Sequence, residues 1–140
     1  MPISPELLEV HEYTGPGYLP LVDYGAWRVA LMRYSDELRP ERLTFVERHR
    51  ETDEVFVLLV GRCILFLLDE AGELHPCDLQ PKKIYNVKRG VYHTHTLNTD
   101  AMVLVVENRD TDDTNSDKIP LTAEQRTVVL QAGAALFPER

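Results

Sequence analysis

The stretch VERHRETDEVFVLLVG holds the chain's densest set of groups able to do chemistry. Glu47 and His49 stand two positions apart in it, so on a strand both side chains leave the same face. Glu54 opens the next predicted strand. A hairpin through residues 50–53 would return it beside His49, with Phe56, Leu58 and Val60 facing the same way. Further along, Gly90 permits a tight turn, and His93 and His95 again share one strand face, which a barrel can set opposite the first. Imidazole and carboxylate brought to one point suit proton transfer or a divalent cation. Two acids and two histidines facing inward are costly to bury without such a cation or a full set of hydrogen bonds.

Strands are the elements that must position these groups. Turn residues bound predicted strands at 27–34, 43–49, 54–60, 62–68, 83–87, 91–96 and 102–107, and the segment 62–79 reads as a strand pair about a Gly72 turn. Before them, Ser4 and Pro5 give a helix start signal followed by too few apolar residues for more than a short helix. After them, residues 108–118 form a polar run dense in Asp and Thr. Thr122 and Gln125 then make a capping box for a helix over 122–136, whose Val128, Val129, Ala132, Ala135 and Leu136 form a docking stripe. Nothing repeats at a fixed period, so short strands at close spacing predict a small barrel or sandwich, in one domain over residues 1–140.

With these elements in place, the stretch holding His49, Glu54 and Gly61 resembles the first cupin motif, and Gly90 with His93 resembles the second. The likeness covers residues 43–107 and implies an all-β, cupin-type double-stranded β-helix, or jelly-roll, barrel occupying about residues 26–109. It also implies that Glu47, His49, Glu54 and His93 hold a divalent metal ion. The donor types suit Fe, Mn, Ni or Zn, and two histidines with one carboxylate leave positions open for substrate. Glu47 stands where the motif has its leading histidine, and Lys88 replaces the proline usual before the glycine of the second motif. Glu51 and His95 fall on the same faces as the motif residues, either as proton carriers and outer partners or as solvated groups at the barrel mouth.

The expected function is a metal-dependent enzyme acting on a small oxygen-rich molecule, by isomerisation, epimerisation or dioxygen chemistry. The alternative is a metal-free cupin that binds a small ligand without turnover. Fifteen basic against twenty-three acidic residues give a formal charge of -8, which argues against nucleic acid. No apolar run is long enough to cross a bilayer, and the first residues lack a signal-peptide pattern, so a cytoplasmic protein without a membrane partner is expected. Cys63 and Cys77 are read as structural. Tyr92 is read as packing, Asp110, Asp112 and Asp113 as a solvated loop, and the arginines over 38–50 as a charge-paired surface. Segments 55–60 and 64–68 are apolar on both faces. A second sheet on one side and a partner subunit on the other would cover them, which predicts a homodimer.

Overall fold

The computed structural model describes residues 2–138. Strands β1 (Gly17–Tyr24), β2 (Trp27–Arg33), β3 (Phe45–His49), β4 (Glu54–Val60), β5 (Cys63–Leu68), β6 (Leu74–Asp78), β7 (Tyr85–Val87), β8 (His93–Leu97), β9 (Met102–Asn108) and β10 (Ser116–Pro120) precede helix α1 (Ala123–Gly133). They form two antiparallel sheets of five strands each, ordered β1-β2-β9-β4-β7 and β10-β3-β8-β5-β6, which face each other as a jelly roll.

The alternation of β9 shows how the sequence builds the interior. Val103, Val105 and Glu107 are buried, while Met102, Leu104 and Val106 lie on the opposite face. Its neighbours β2 and β4 supply Ala30, Met32, Phe56 and Leu58 to the same core, and β5 supplies Cys63 and Leu65 from the other sheet. The burial of Cys63 agrees with its structural reading.

On the far side of the second sheet, Ile64 and Phe66 pack with Val129 and Leu136 in a separate cluster. The C-terminal helix therefore covers the outer face of β5, for which a partner subunit had been expected. This helix starts as its sequence predicts, with Thr122 and Gln125 forming a reciprocal capping box. Val128 and Ala132 pack against the cluster and Tyr92 does the same, whereas Ala135 is exposed.

Several expectations are corrected. Residues 5–7 make a single turn, with the amides of Leu7 and Leu8 donating to the Ser4 carbonyl, and no N-terminal helix follows. So short an apolar stretch cannot recover the cost of helix nucleation. The sheets begin before residue 26 and end after residue 109, because β1 pairs with β2 and β10 pairs with β3. The polar run after β9 is thus a connection and an edge strand. Asp112 caps a short 3-10 turn over Asp113–Asn115, and Ser116 to Pro120 then lie against β3. Arg48 and Arg50 find their carboxylate across that strand pair, at Asp117.

Residues 50–53 do not form a hairpin either: β3 and β4 belong to different sheets, and the connection crosses between them. It is held by bonds to several segments. The Arg50 amide donates to the Asn115 carbonyl, Asn108 Nδ2 donates to the Glu51 carbonyl, and the Arg89 amide donates to Asp53. Gly61 makes the turn from β4 to β5 at φ +77°, where a Cβ would lie 2.7 Å from Ala101 Cα. A glycine alone fits that conformation and that approach.

Candidate metal centre and its cavity

His49, Glu54 and His93 converge although they come from different parts of the fold. His49 ends β3, and His93 starts β8 in the same sheet, where it pairs with Glu47 of β3. Glu54 starts β4 in the facing sheet, paired with Val87. Glu54 Oε1 lies 3.0 Å from His93 Nε2 and 3.2 Å from His49 Nε2. One donor atom from each of these residues falls within 4.8 Å of the others. Glu54 and His93 are buried, and the two imidazoles meet edge to face with centroids 5.4 Å apart.

The other ring nitrogens fix what these groups can do. His93 Nδ1 is 3.0 Å from the Val91 carbonyl, which can only accept, so Nδ1 carries the hydrogen. In a neutral ring, Nε2 then turns its lone pair on a carboxylate oxygen 3.0 Å away. Two lone pairs at that distance require a proton or a cation between them. His49 Nδ1 bonds the Ser116 hydroxyl at 2.8 Å, which serves either tautomer. The donor set and the Nδ1 partners fit a divalent transition metal on the Nε2 side.

Electrostatics bind the three together. Burial would raise the Glu54 carboxyl, but hydrogen bonds from His49 and His93 outweigh it and hold Glu54 well below the carboxylate range. Burial would lower His49, but the hydrogen bond to Glu54 and the charges of Glu54, Glu107 and Glu47 raise it.

The three groups line a cavity of about 380 Å³. Glu47 lines it too, half-buried, but its carboxylate is not among the donor atoms lying within 4.8 Å of one another. His95 lies on the same strand face as His93 and also reaches the cavity. Its Nδ1 is enclosed without a hydrogen-bond partner among the described residues, and burial holds the ring down to about 4. Glu51 is not brought to the site. It is exposed on the β3–β4 connection and borders a different surface hollow.

Sequence reasoning missed Glu107, Arg28 and Tyr18. With Val55 opposite Val106, Glu54 and Glu107 are neighbours across β4 and β9, and Arg28 pairs with Glu107 across β2 and β9. Glu107 Oε2 accepts from Arg28 Nη2 at 2.8 Å and from the Tyr18 hydroxyl. Glu107 Oε1 lies 4.0 Å from His49 Nε2 and has no hydrogen-bond partner among the described residues. Burial and the charge of Glu54 raise this carboxyl, against the opposing pull of Tyr18 and Arg28. A signal was present: if Val103 and Val105 face inward, so does Glu107, and if Ala30 and Met32 do, so does Arg28. A second His/Asp/Glu grouping, Asp69, Glu73 and His75, is wholly exposed, and Asp69 already accepts from two backbone amides of its own turn.

No protein-family profile matches the sequence, and no curated protein does. Solved structures do resemble it. A cupin-2 domain protein from Shewanella frigidimarina superposes at TM-score 0.51 with 20% identity, over 74% of this chain and 87% of that one. The QdtA 3,4-ketoisomerase of Thermoanaerobacterium thermosaccharolyticum gives 0.53 with 17% identity, over 80% and 75%. Oxalate decarboxylase of Bacillus subtilis gives 0.52 with 13% identity; the match covers 78% of this chain and 33% of that longer one.

Proposed function

The chain has the cupin fold in a single small barrel, and from that premise we propose that it is a metal-dependent enzyme acting on a small oxygen-rich molecule. His49, Glu54 and His93 hold the ion, which is Fe, Mn, Ni or Zn. The observation that carries this reading is the His93 ring: its Nδ1 is committed to a carbonyl and its Nε2 faces a buried carboxylate. A divalent cation there supplies Lewis acidity to a substrate oxygen. The chain's own groups orient the ligands through Ser116 and Val91, pack Phe56 beside the His93 ring, and place Met32, His95 and Glu107 along the substrate space. Isomerisation, epimerisation and dioxygen chemistry all fit such a site. A ketoisomerase and a decarboxylase among the structural neighbours are in keeping with an enzymatic role. Glu47, which lines the same cavity, is the proposed fourth ligand.

The alternative is a metal-free barrel that binds a small ligand without turnover. It is favoured by the closeness of both Nε2 atoms to one Glu54 oxygen, since protonated imidazoles would satisfy that carboxylate unaided. Elemental mass spectrometry of protein purified without a histidine tag separates the two. The enzymatic reading expects near-stoichiometric Fe, Mn, Ni or Zn in the wild type and none in His49→Ala. Absence of metal from both would leave the ligand-binding barrel.

The protein is further proposed to be a homodimer through the outer face of the first sheet. Leu31, Val57, Leu104 and Val106 are only half-buried there and Leu19 and Leu59 are exposed, an apolar expanse that α1 does not cover. Light scattering is expected to give twice the chain mass for the wild type and the single mass for Leu104→Asp. A monomeric wild type would contradict it.

A further inference from the structure

We infer that Glu107 receives a hydroxyl group of the substrate, and that the cavity takes uncharged polyhydroxylated compounds in preference to carboxylates and phosphates. The inference rests on the reading of this cavity as the substrate site. The side chain of Glu107 is 4% exposed, yet it is only half satisfied. Arg28 and Tyr18 hold Oε2, which fixes the carboxylate, while the enclosed Oε1 has no hydrogen-bond partner among the described residues and meets only His49 Nε2, 4.0 Å away, in a residue that lines the cavity. A buried acceptor left without a donor is unfavourable, and a ligand hydroxyl that reached it would remove that cost. An anionic ligand group would meet it oxygen to oxygen.

The remaining charges point the same way. Glu37, Glu47, Glu54, Glu107, Asp112 and Asp113 all line the cavity, and among the described residues Arg28 is the sole lysine or arginine that lines it. Its guanidinium is already occupied on every nitrogen. Nε faces Tyr18 and Glu107, Nη1 donates to the Arg109 carbonyl, and Nη2 donates to Glu107 and the Thr111 carbonyl. No free fork is left to clamp a carboxylate or phosphate in the bidentate way such groups are commonly held. A divalent cation at the histidines would offset part of the negative excess and leave the rest to repel an anion.

The test compares erythritol with erythronate, which differ in one end group, hydroxymethyl against carboxylate. Both are titrated by calorimetry into Co²⁺-loaded and metal-free full-length protein. Erythritol is expected to bind at least about tenfold more tightly than erythronate, a ratio set by one unpaired like-charge contact. Glu107→Gln, which turns the acceptor into an amide, is expected to shrink that preference to about threefold or less. The rim variant Glu37→Gln/Asp113→Asn alters exposed residues and carries the test if Glu107→Gln does not fold. It is expected to tighten erythronate about threefold and leave erythritol unchanged. Equal or tighter erythronate binding by the wild type, no binding of either compound, or an unchanged preference in the variants that fold would overturn the inference. A wild type that takes up no Co²⁺ but keeps the preference would sink the metal reading alone.

Discussion

Glu54→Gln is expected to weaken the affinity for Mn²⁺ or Co²⁺ by at least about a hundredfold, more than the 10–100-fold typical of losing an outer partner. Glu54 is the contact shared by both histidines, with 3.0 Å to His93 and 3.2 Å to His49. Its charge, held ionised despite burial, offsets the charge of the ion. An amide keeps the shape and removes the charge, so the loss should be one of affinity with the barrel intact. Circular dichroism guards against the trivial outcome, and a metal competition assay gives the ratio. Equal affinities would mean that Glu54 serves only to satisfy the two imidazoles.

His95 is expected to make the protein acid-sensitive. Its ring is held down to about 4 from an ordinary 6.5, so the folded state favours the neutral form and the unfolded state takes the proton first. The sign follows from that order. The contribution is complete above pH 6.5 and is lost as the pH falls towards 4, amounting to at most about 3 kcal/mol at 1.36 kcal/mol per pKa unit. His95→Gln keeps the ring's neighbours largely in place and removes the titration. Urea unfolding at pH 7 and pH 4.5 should therefore show a smaller acid loss in the variant than in the wild type. Parallel losses would place the acid sensitivity in other groups, such as Asp117, whose carboxyl is held down by its hydrogen bond from Arg48.

What was legible in the chain and what was not divides along the range of the interactions. Strand alternation and a turn glycine are local signals, and they sufficed to mark His49, Glu54 and His93 and to bound most strands of both sheets. The capping box at Thr122 is equally local, and α1 begins there. Glu107 and Arg28 carried the same alternation near the ends of their strands, and alternation alone gives neither of them a partner. Their role depends on β9 lying between β2 and β4, a pairing between segments far apart in the chain. Strand β10 had no alternation to betray it: Ser-Asp-Lys-Ile-Pro is extended because β3 offers an edge and Arg48 and Arg50 reach Asp117 across it.

The β3–β4 connection teaches a related point. A hairpin and a crossing between sheets both bring Glu54 next to His49, so the right neighbours were reached through the wrong topology. Glu51 suffered from that error. Counted along a hairpin it faces the site, but in the crossing it sits on the outside, held by its carbonyl to Asn108. The opening residues failed for a different reason. Ser4 and Pro5 signal a start, but Leu7, Leu8 and Val10 are exposed and have no core to dock on, which leaves one turn.

The most direct test of the metal site is diffraction from crystals of metal-loaded protein, recorded on both sides of the ion's absorption edge. The account predicts one strong anomalous peak inside the barrel, within bonding distance of His49 Nε2, His93 Nε2 and a Glu54 carboxylate oxygen. Density confined to the exposed Asp69, Glu73 and His75 grouping, or no ordered peak with metal in excess, would contradict it.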